Sequence, residues 1–318
     1  MPTHLRFSED GTPVPATEES REPSEPSEPP EPSEPSERDE QVLPWKGIFT
    51  KRGKVRPPFN PSLEAFWFKR RELFSKFDRG VRLDAESWYS VTPELLAAHM
   101  AARLIRGAAR PGRANGGVFV VDPFCGCGGN AIQQALHDPA GAVLAIDIDP
   151  WKVEMARHNA YLYGVRDRIQ FIVGDAMVLL PRLRADAVLL SPPWGGVDYD
   201  DDGAHGGGAF DLDRDMLPCS GLRIFDAACA TAPAVAYYLP RRTDRAQIAE
   251  LARRHPSQSC ELQHVVRRSA SANPKLANKP PKPKALIAFF DALAPLGVPP
   301  GVCEVVVDDP SGPSPKDG

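Results

Sequence analysis

Val118-Phe119-Val120-Val121-Asp122-Pro123-Phe124-Cys125-Gly126-Cys127-Gly128-Gly129 is an apolar run that ends in a glycine-rich loop. Four consecutive apolar residues predict a strand buried on both faces. The glycines at 126, 128 and 129 let the chain turn sharply and approach a ligand closely, at the amino end of a helix predicted from Asn130 to Leu136. The alternation then repeats. Ala142 to Ile146, Ile169 to Val173 and Ala187 to Leu190 read as strands, with Trp151 to Tyr163 as a helix between the first two. Ala234 to Leu239, Cys260 to Val266, Ala285 to Phe290 and Val302 to Val307 continue the series. Strands separated by helices imply a doubly wound, mostly parallel sheet that binds ligands at the carboxyl ends of its strands. A dinucleotide-binding loop would look similar, and a plain strand-to-helix turn is the bland reading.

The residues that close the strands narrow the choice. Asp122 ends the first, Asp147 the second within Asp147-Ile148-Asp149-Pro150, and Asp175 the third within Gly174-Asp175-Ala176. An acid at the second position can accept hydrogen bonds from both ribose hydroxyls of an adenosyl ligand, and Asp175 is placed to receive the adenine amino group. Any one of the three could instead be a helix cap. The fourth strand runs into Ser191-Pro192-Pro193-Trp194-Gly195-Gly196. Two prolines fix the backbone and remove two amide donors, which leaves the Ser191 and Pro192 carbonyls to accept hydrogen bonds. An exocyclic amine is the natural donor, with Trp194 stacked on its base. The competing reading makes Trp194 a core residue. The pattern points to methyl transfer from S-adenosylmethionine to an exocyclic amino nitrogen, with Ser191, Pro192, Pro193 and Trp194 as the catalytic segment.

Composition sets the surroundings. Residues 1–40 hold twelve Asp or Glu against three Arg, a net of −9, so the remainder carries +5 of the chain's −4. A Pro/Glu/Ser segment with almost no large apolar residue after Phe7 cannot offset its ordering entropy, and 1–45 is expected to be disordered. A basic linker, 46–60, contains Lys46 and Lys51-Arg52-Gly53-Lys54-Val55-Arg56, readable as an import signal, a phosphate-contacting arm or a solvated charge cluster. Over 61–112 the apolar spacing of Leu63, Phe66, Trp67, Leu73, Phe74 and Phe77 predicts one helix, and Thr92-Pro93-Glu94 a second with Thr92 as its N-cap. These precede a core over 113–296 and a strand or tail over 297–318. Six cysteines without CxxC spacing, and no signal peptide, suggest reduced thiols in a cytosolic or nuclear protein. No apolar run approaches the roughly 20 residues that cross a bilayer, so no membrane partner is expected. No metal site is expected.

Several segments together carry a family resemblance. Trp67, Leu73-Phe74-Ser75-Lys76-Phe77-Asp78, Trp88-Tyr89-Ser90-Val91-Thr92-Pro93, Asp122 to Asn130, Ala145 to Pro150, Asn159-Ala160, Tyr163-Gly164, Gly174-Asp175, Ser191 to Gly196 with Asp198-Tyr199, and Tyr238-Leu239-Pro240-Arg241 resemble the trimethylguanosine synthase family. The resemblance covers about Leu63 to Leu293. It implies a class I (Rossmann-like) methyltransferase with a small N-terminal helical extension, acting with S-adenosyl-L-methionine on N2 of the 7-methylguanosine caps of small nuclear and nucleolar RNAs. Carried over, it implies that Phe74, Ser90 and Thr92 close over the cofactor, which Asp122, Phe124, Cys125, Gly126, Asn130, Asp147, Ile148, Asp175, Ala176 and Ser191 also hold. Trp194, Asp198, Tyr199 and Arg241 would bind the substrate, Arg241 through its phosphates. A nuclear and nucleolar location with some cytoplasmic protein, a monomer, and ribonucleoprotein partners recruited through the N-terminal tail are the accompanying expectations.

Two stretches depart from the family: Asp200 to Gly208, an acidic loop containing His205, and the proline-lysine run Lys279 to Lys284. An acidic loop beside a site for RNA phosphates is unfavourable unless it swings away. Methylation of an internal guanine N2 or adenine N6 in ribosomal RNA or DNA, and a cap-binding module without turnover, are the other readings.

Overall fold

The computed structural model describes residues 48–49, 55–56, 63–109, 116–195, 208–266, 283–291 and 301–308. The acidic tail, most of the basic linker, Gly196, Asp198, Tyr199, the loop to Gly207 with His205, and most of the proline-lysine run lie outside the described residues.

Eight strands form one sheet: β1 (Phe119–Asp122), β2 (Ala142–Asp147), β3 (Ile169–Val173), β4 (Ala187–Leu190), β5 (Ala234–Pro240), β6 (Ser259–Val266), β7 (Pro283–Phe290) and β8 (Gly301–Asp308). Their order is β8-β6-β7-β5-β4-β1-β2-β3. All neighbours run parallel except β7, which is antiparallel to both β5 and β6. From β1 the chain winds outward to β3, then crosses back to β4 on the other side of β1. That reversal opens a crevice beyond the carboxyl ends of β1 and β4. The glycine loop and the Ser191 segment leave the sheet there. The fold is a class I, Rossmann-like methyltransferase fold with its doubly wound, mostly parallel sheet.

The helices are α1 (Glu64–Phe68), α2 (Arg70–Leu73), α3 (Ser87–Ser90), α4 (Glu94–Ala108), α5 (Gly129–His137), α6 (Pro150–Tyr163), α7 (Ala176–Leu179), α8 (Gly221–Thr231) and α9 (Arg245–Arg254). Local chemistry fixes α6 well: the Asp149 carboxylate accepts the Trp151 amide at its start, Pro150 takes the first turn, and Gly164 ends it at φ 73°. All four residues of β4 are buried, as expected of a strand covered on both faces.

The N-terminal extension differs from its sequence pattern in two ways. The single helix expected over Leu63 to Phe77 is broken at Lys69 and again at Phe74, whose φ of −142° and ψ of 115° are extended. A break lets Trp67, Phe77 and Trp88 pack on one another, with ring centroids 5.4 to 6.0 Å apart, where one straight helix would carry Phe77 away. Thr92 is not the N-cap of α4. Pro93 occupies that position with a non-helical ψ of 139°, and Thr92 is buried against the crevice instead.

The extension shares a hydrophobic cluster with the sheet: Trp67, Phe74, Phe77, Leu83 and Trp88 pack with Cys127, Ile132, Met155 and Ala156. Polar ties fix its register. Fully buried Asn159 of α6 accepts the Arg82 amide at 2.8 Å and donates to the carbonyls of Arg82 and Cys127, both at 2.9 Å. The Glu94 carboxylate accepts the Ser75 amide at 2.6 Å, the Ser75 hydroxyl at 2.7 Å and the Tyr163 hydroxyl. One side chain at the start of α4 thus holds the loop after Phe74 against α6.

Candidate active site

A cavity of about 680 Å³ lies at the carboxyl ends of β1 to β4 and is walled on its outer side by the extension. This is within the usual range for a site that encloses a small ligand.

The floor is the glycine loop. Gly126 adopts φ 51°, a left-handed conformation that glycine adopts without steric cost, and its amide donates to Asp147 at 2.9 Å. Gly128 has φ 93°, and a Cβ there would meet the Cβ of Ala156 at 3.0 Å, so it also permits α5 and α6 to approach. The second oxygen of Asp147 accepts the Asp149 amide at 3.0 Å. Burial raises the Asp147 pKa despite these two amides. Asp175 lines the same cavity while accepting the Met177 amide at 2.7 Å, so it caps α7 as well as facing the site.

The far wall is the segment after β4. The Asn130 amide donates to the Ser191 hydroxyl at 3.1 Å and so orients it. Asn130 lines the cavity, and its carbonyl oxygen is buried with no hydrogen-bond partner among the described residues. Such an orphaned acceptor suits a ligand donor. The Pro193 carbonyl accepts the Leu217 amide at 3.3 Å, which anchors the turn that presents Trp194.

Most of the residues singled out in sequence meet here. Ser90, Thr92, Phe124, Cys125, Gly126, Asn130, Asp147, Ile148, Asp175, Ala176, Ser191, Pro192, Pro193 and Trp194 all line the cavity. Three do not. Phe74 is buried behind the wall, its ring edge-on to Tyr163 at 6.1 Å and 3.8 Å from where a Gly129 Cβ would lie. Asp122 is completely buried beneath the loop, and among the described residues neither of its oxygens has a donor in hydrogen-bonding geometry. Burial lifts its pKa to about 7; the Phe124 amide opposes the rise and the Asp147 charge adds to it. Arg241 follows the end of β5 and is half-buried, outside the cavity wall. Asp198 and Tyr199 lie outside the described residues.

The structure also brings in residues that the sequence reading passed over. Tyr238 and Lys284 line the cavity from the neighbouring strands β5 and β7, and Tyr238 packs against Trp194 with ring centroids 4.8 Å apart. Lys152 of α6 bridges to Glu86 of the extension at 2.6 Å across another part of the wall. Burial opposes its charge, yet Glu86, Asp84 and Asp147 keep its pKa above the usual lysine value. Tyr238 falls in a segment that carries the family resemblance; Lys284 sits at the end of the proline-lysine run, where composition masks it.

The donor set fits S-adenosylmethionine. Asp147, Asp175 and Asn130, the last with an unsatisfied amide oxygen, line a cavity of suitable size, matching a ligand with a ribose diol, an adenine amine and two positive charges. Among the described residues no group of His, Cys, Asp and Glu is arranged to hold a metal ion.

Comparison with known proteins gives a consistent picture. A sequence model described as RNA cap guanine-N2 methyltransferase matches residues 118–273. Trimethylguanosine synthase of Schizosaccharomyces pombe is 38% identical over 205 residues, which span 63% of this chain and 79% of that protein. Trimethylguanosine synthase of Saccharomyces cerevisiae is 32% identical over 218 residues, 66% of this chain and 65% of that protein. A shorter match, 38% over 76 residues, is to the tRNA (guanine(10)-N2)-dimethyltransferase of Methanothermobacter thermautotrophicus, covering 24% of this chain and 22% of that protein.

Proposed function

Because the chain belongs to the RNA cap guanine-N2 methyltransferase family, we propose that the Ser191 to Trp194 wall holds a 7-methylguanosine cap with its N2 aimed into the cofactor cavity. The protein is an S-adenosyl-L-methionine-dependent enzyme that hypermethylates RNA caps, and the family favours this over internal guanine or adenine methylation and over a module without turnover. The observation that carries the site assignment is the single cavity in which Asp147, Asp175 and Asn130 meet Trp194.

When bound, S-adenosylmethionine supplies an electrophilic methyl carbon. The chain's contribution is placement. Asp147 takes the ribose, Asp175 the adenine edge, and the Asn130 oxygen a donor on the cofactor. The Ser191 and Pro192 carbonyls accept the two N2 protons and so turn the lone pair toward the methyl group, while Trp194 stacks on the ring. Fixing two reactants in line can remove roughly 7 to 11 kcal/mol of a barrier. Methylation at N7 makes the guanine cationic, and a cation over an indole gains roughly 0.5 to 2 kcal/mol. Trp194 therefore favours capped over uncapped guanosine by about tenfold, since about 1.4 kcal/mol is one decade. N2 of a cationic guanine loses its proton readily once attacked, so no dedicated base is required. Arg241 and Lys284, at the ends of adjacent strands, are read as the residues that meet the phosphates beyond the cavity.

Small nuclear and nucleolar RNAs, a nuclear and nucleolar location with some cytoplasmic protein, a monomeric state and ribonucleoprotein contacts through the acidic tail complete the reading. The direct test offers 7-methylguanosine diphosphate with labelled methyl donor. Transfer to it is expected; no transfer to it alongside transfer to uncapped RNA refutes the cap assignment.

A further inference from the structure

Among the described residues, Trp194 and Tyr238 are paired aromatic rings on the acceptor side of the cavity, and their separation decides how a base can be held. A planar base sandwiched between two rings needs about 7 Å between them, twice the ~3.5 Å contact distance of carbon atoms. The centroids are 4.8 Å apart and the planes tilt by 47°. No base fits between them. One side of Trp194 is thus occupied by Tyr238, and stacking is left to the other.

Tyr238 is well anchored for that task. It stands on β5 one residue beyond the Leu190–Tyr237 pair, level with Ser191, and pairs on its other side with Ile287 of β7. Its ring packs on the cluster formed by Met100, Leu104, Ala236, Ile287 and Phe289, whereas Trp194 rests on a separate cluster across the sheet. Trp194 itself sits on a turn, between Pro193 and Gly195, with φ 98° at Gly195. A turn residue without lateral support would sample several ring orientations, and each orientation lost from the stacking geometry weakens binding.

We propose that Tyr238 is a positioning residue for cap recognition: it fixes the plane of Trp194 from behind and does not itself stack on the base. This rests on the reading of Trp194 as the cap-stacking residue. The aromatic ring is what holds the indole, so Tyr238→Phe should keep the KM for 7-methylguanosine diphosphate closer to that of the parent than an aliphatic replacement does. Tyr238→Leu should raise the KM for 7-methylguanosine diphosphate about five- to tenfold, in keeping with the loss of an aromatic pair, and leave kcat within about twofold. Calorimetric affinity for S-adenosylhomocysteine should be unchanged in both variants, which also reports correct folding. Tyr238→Val, a better strand former, replaces the leucine variant should that one fail to fold.

The decisive measurement is a double-mutant cycle on 7-methylguanosine diphosphate affinity. If Tyr238 acts only through Trp194, the Trp194→Ala/Tyr238→Leu protein binds no more weakly than Trp194→Ala alone. If the two losses multiply, Tyr238 touches the base directly and the positioning role is wrong. Unchanged affinity in Tyr238→Leu also overturns it, with Trp194 still the cap reader. Unchanged affinity in Trp194→Ala overturns this inference together with the cap reading beneath it.

Discussion

Replacing Asp122 with asparagine should make the protein more stable as the pH rises. The carboxyl is completely buried, neither oxygen has a donor in bonding geometry, and its pKa stands at about 7 against an unfolded value near 3.8. An acid whose folded pKa is raised favours its neutral form. The folded state is therefore least burdened below about pH 4, loses stability as pH climbs through that interval, and carries the full cost above about pH 7. Roughly three pKa units at about 1.36 kcal/mol each give an upper figure of about 4 kcal/mol. Asparagine cannot ionise, so its stability relative to the parent should improve by up to that amount between pH 4.5 and 8. A buried amide introduces donors of its own, which adds a constant offset; the slope with pH is the quantity that tests the argument. Urea titrations of both proteins at four pH values, without cofactor, measure it. A difference that stays flat with pH, or that increasingly favours aspartate, would mean that Asp122 is ionised and paired, and the reasoning fails.

Three further outcomes follow from the site. Trp194→Ala should lower kcat/KM for 7-methylguanosine diphosphate by at least about tenfold and leave calorimetric cofactor affinity within about twofold; loss of cofactor binding would instead make Trp194 a structural residue. Asp147→Ala should weaken cofactor binding by about 10- to 100-fold, because it removes both the ribose acceptor and the anchor of the Gly126 amide; measured affinity equal to the parent refutes it. Glu94→Gln should cost about 1 to 3 kcal/mol and speed proteolysis within 63–93, since the carboxylate holds Ser75 and Tyr163 together; an unchanged cleavage rate refutes it.

The fold and the floor of the site were legible because their signals are local. A buried strand followed by glycines, or an acid followed by proline at a helix start, declares itself within a few residues, and β1 to β7 stand within two residues of the predicted strands at each end. The misreadings share a different cause. Trp67, Phe74 and Phe77 recur at helical spacing, but the contacts that break the helix come from Trp88 and Tyr163, which spacing does not report. Asp122 closes its strand as Asp147 does, yet only depth below the loop separates a wall residue from a buried one. Tyr238 and Lys284 become site residues through strand order, because β5 and β7 happen to be neighbours. Sequence carries no direct mark of that adjacency.

Asn159 joins Arg82 of the extension to Cys127 of the cofactor loop through one amide group. The stretch matched by the family's sequence model, 118–273, contains the amide but only one of the two backbone segments it grips. Cut out at those limits, it would keep the Ser191 to Trp194 segment and lose the Arg82 side of its own latch, along with Ser90 and Thr92 from the rim. The smallest piece of this chain that can be expected to behave as an enzyme therefore has to start before Trp67, and the extension is as much a component of the catalyst as the sheet.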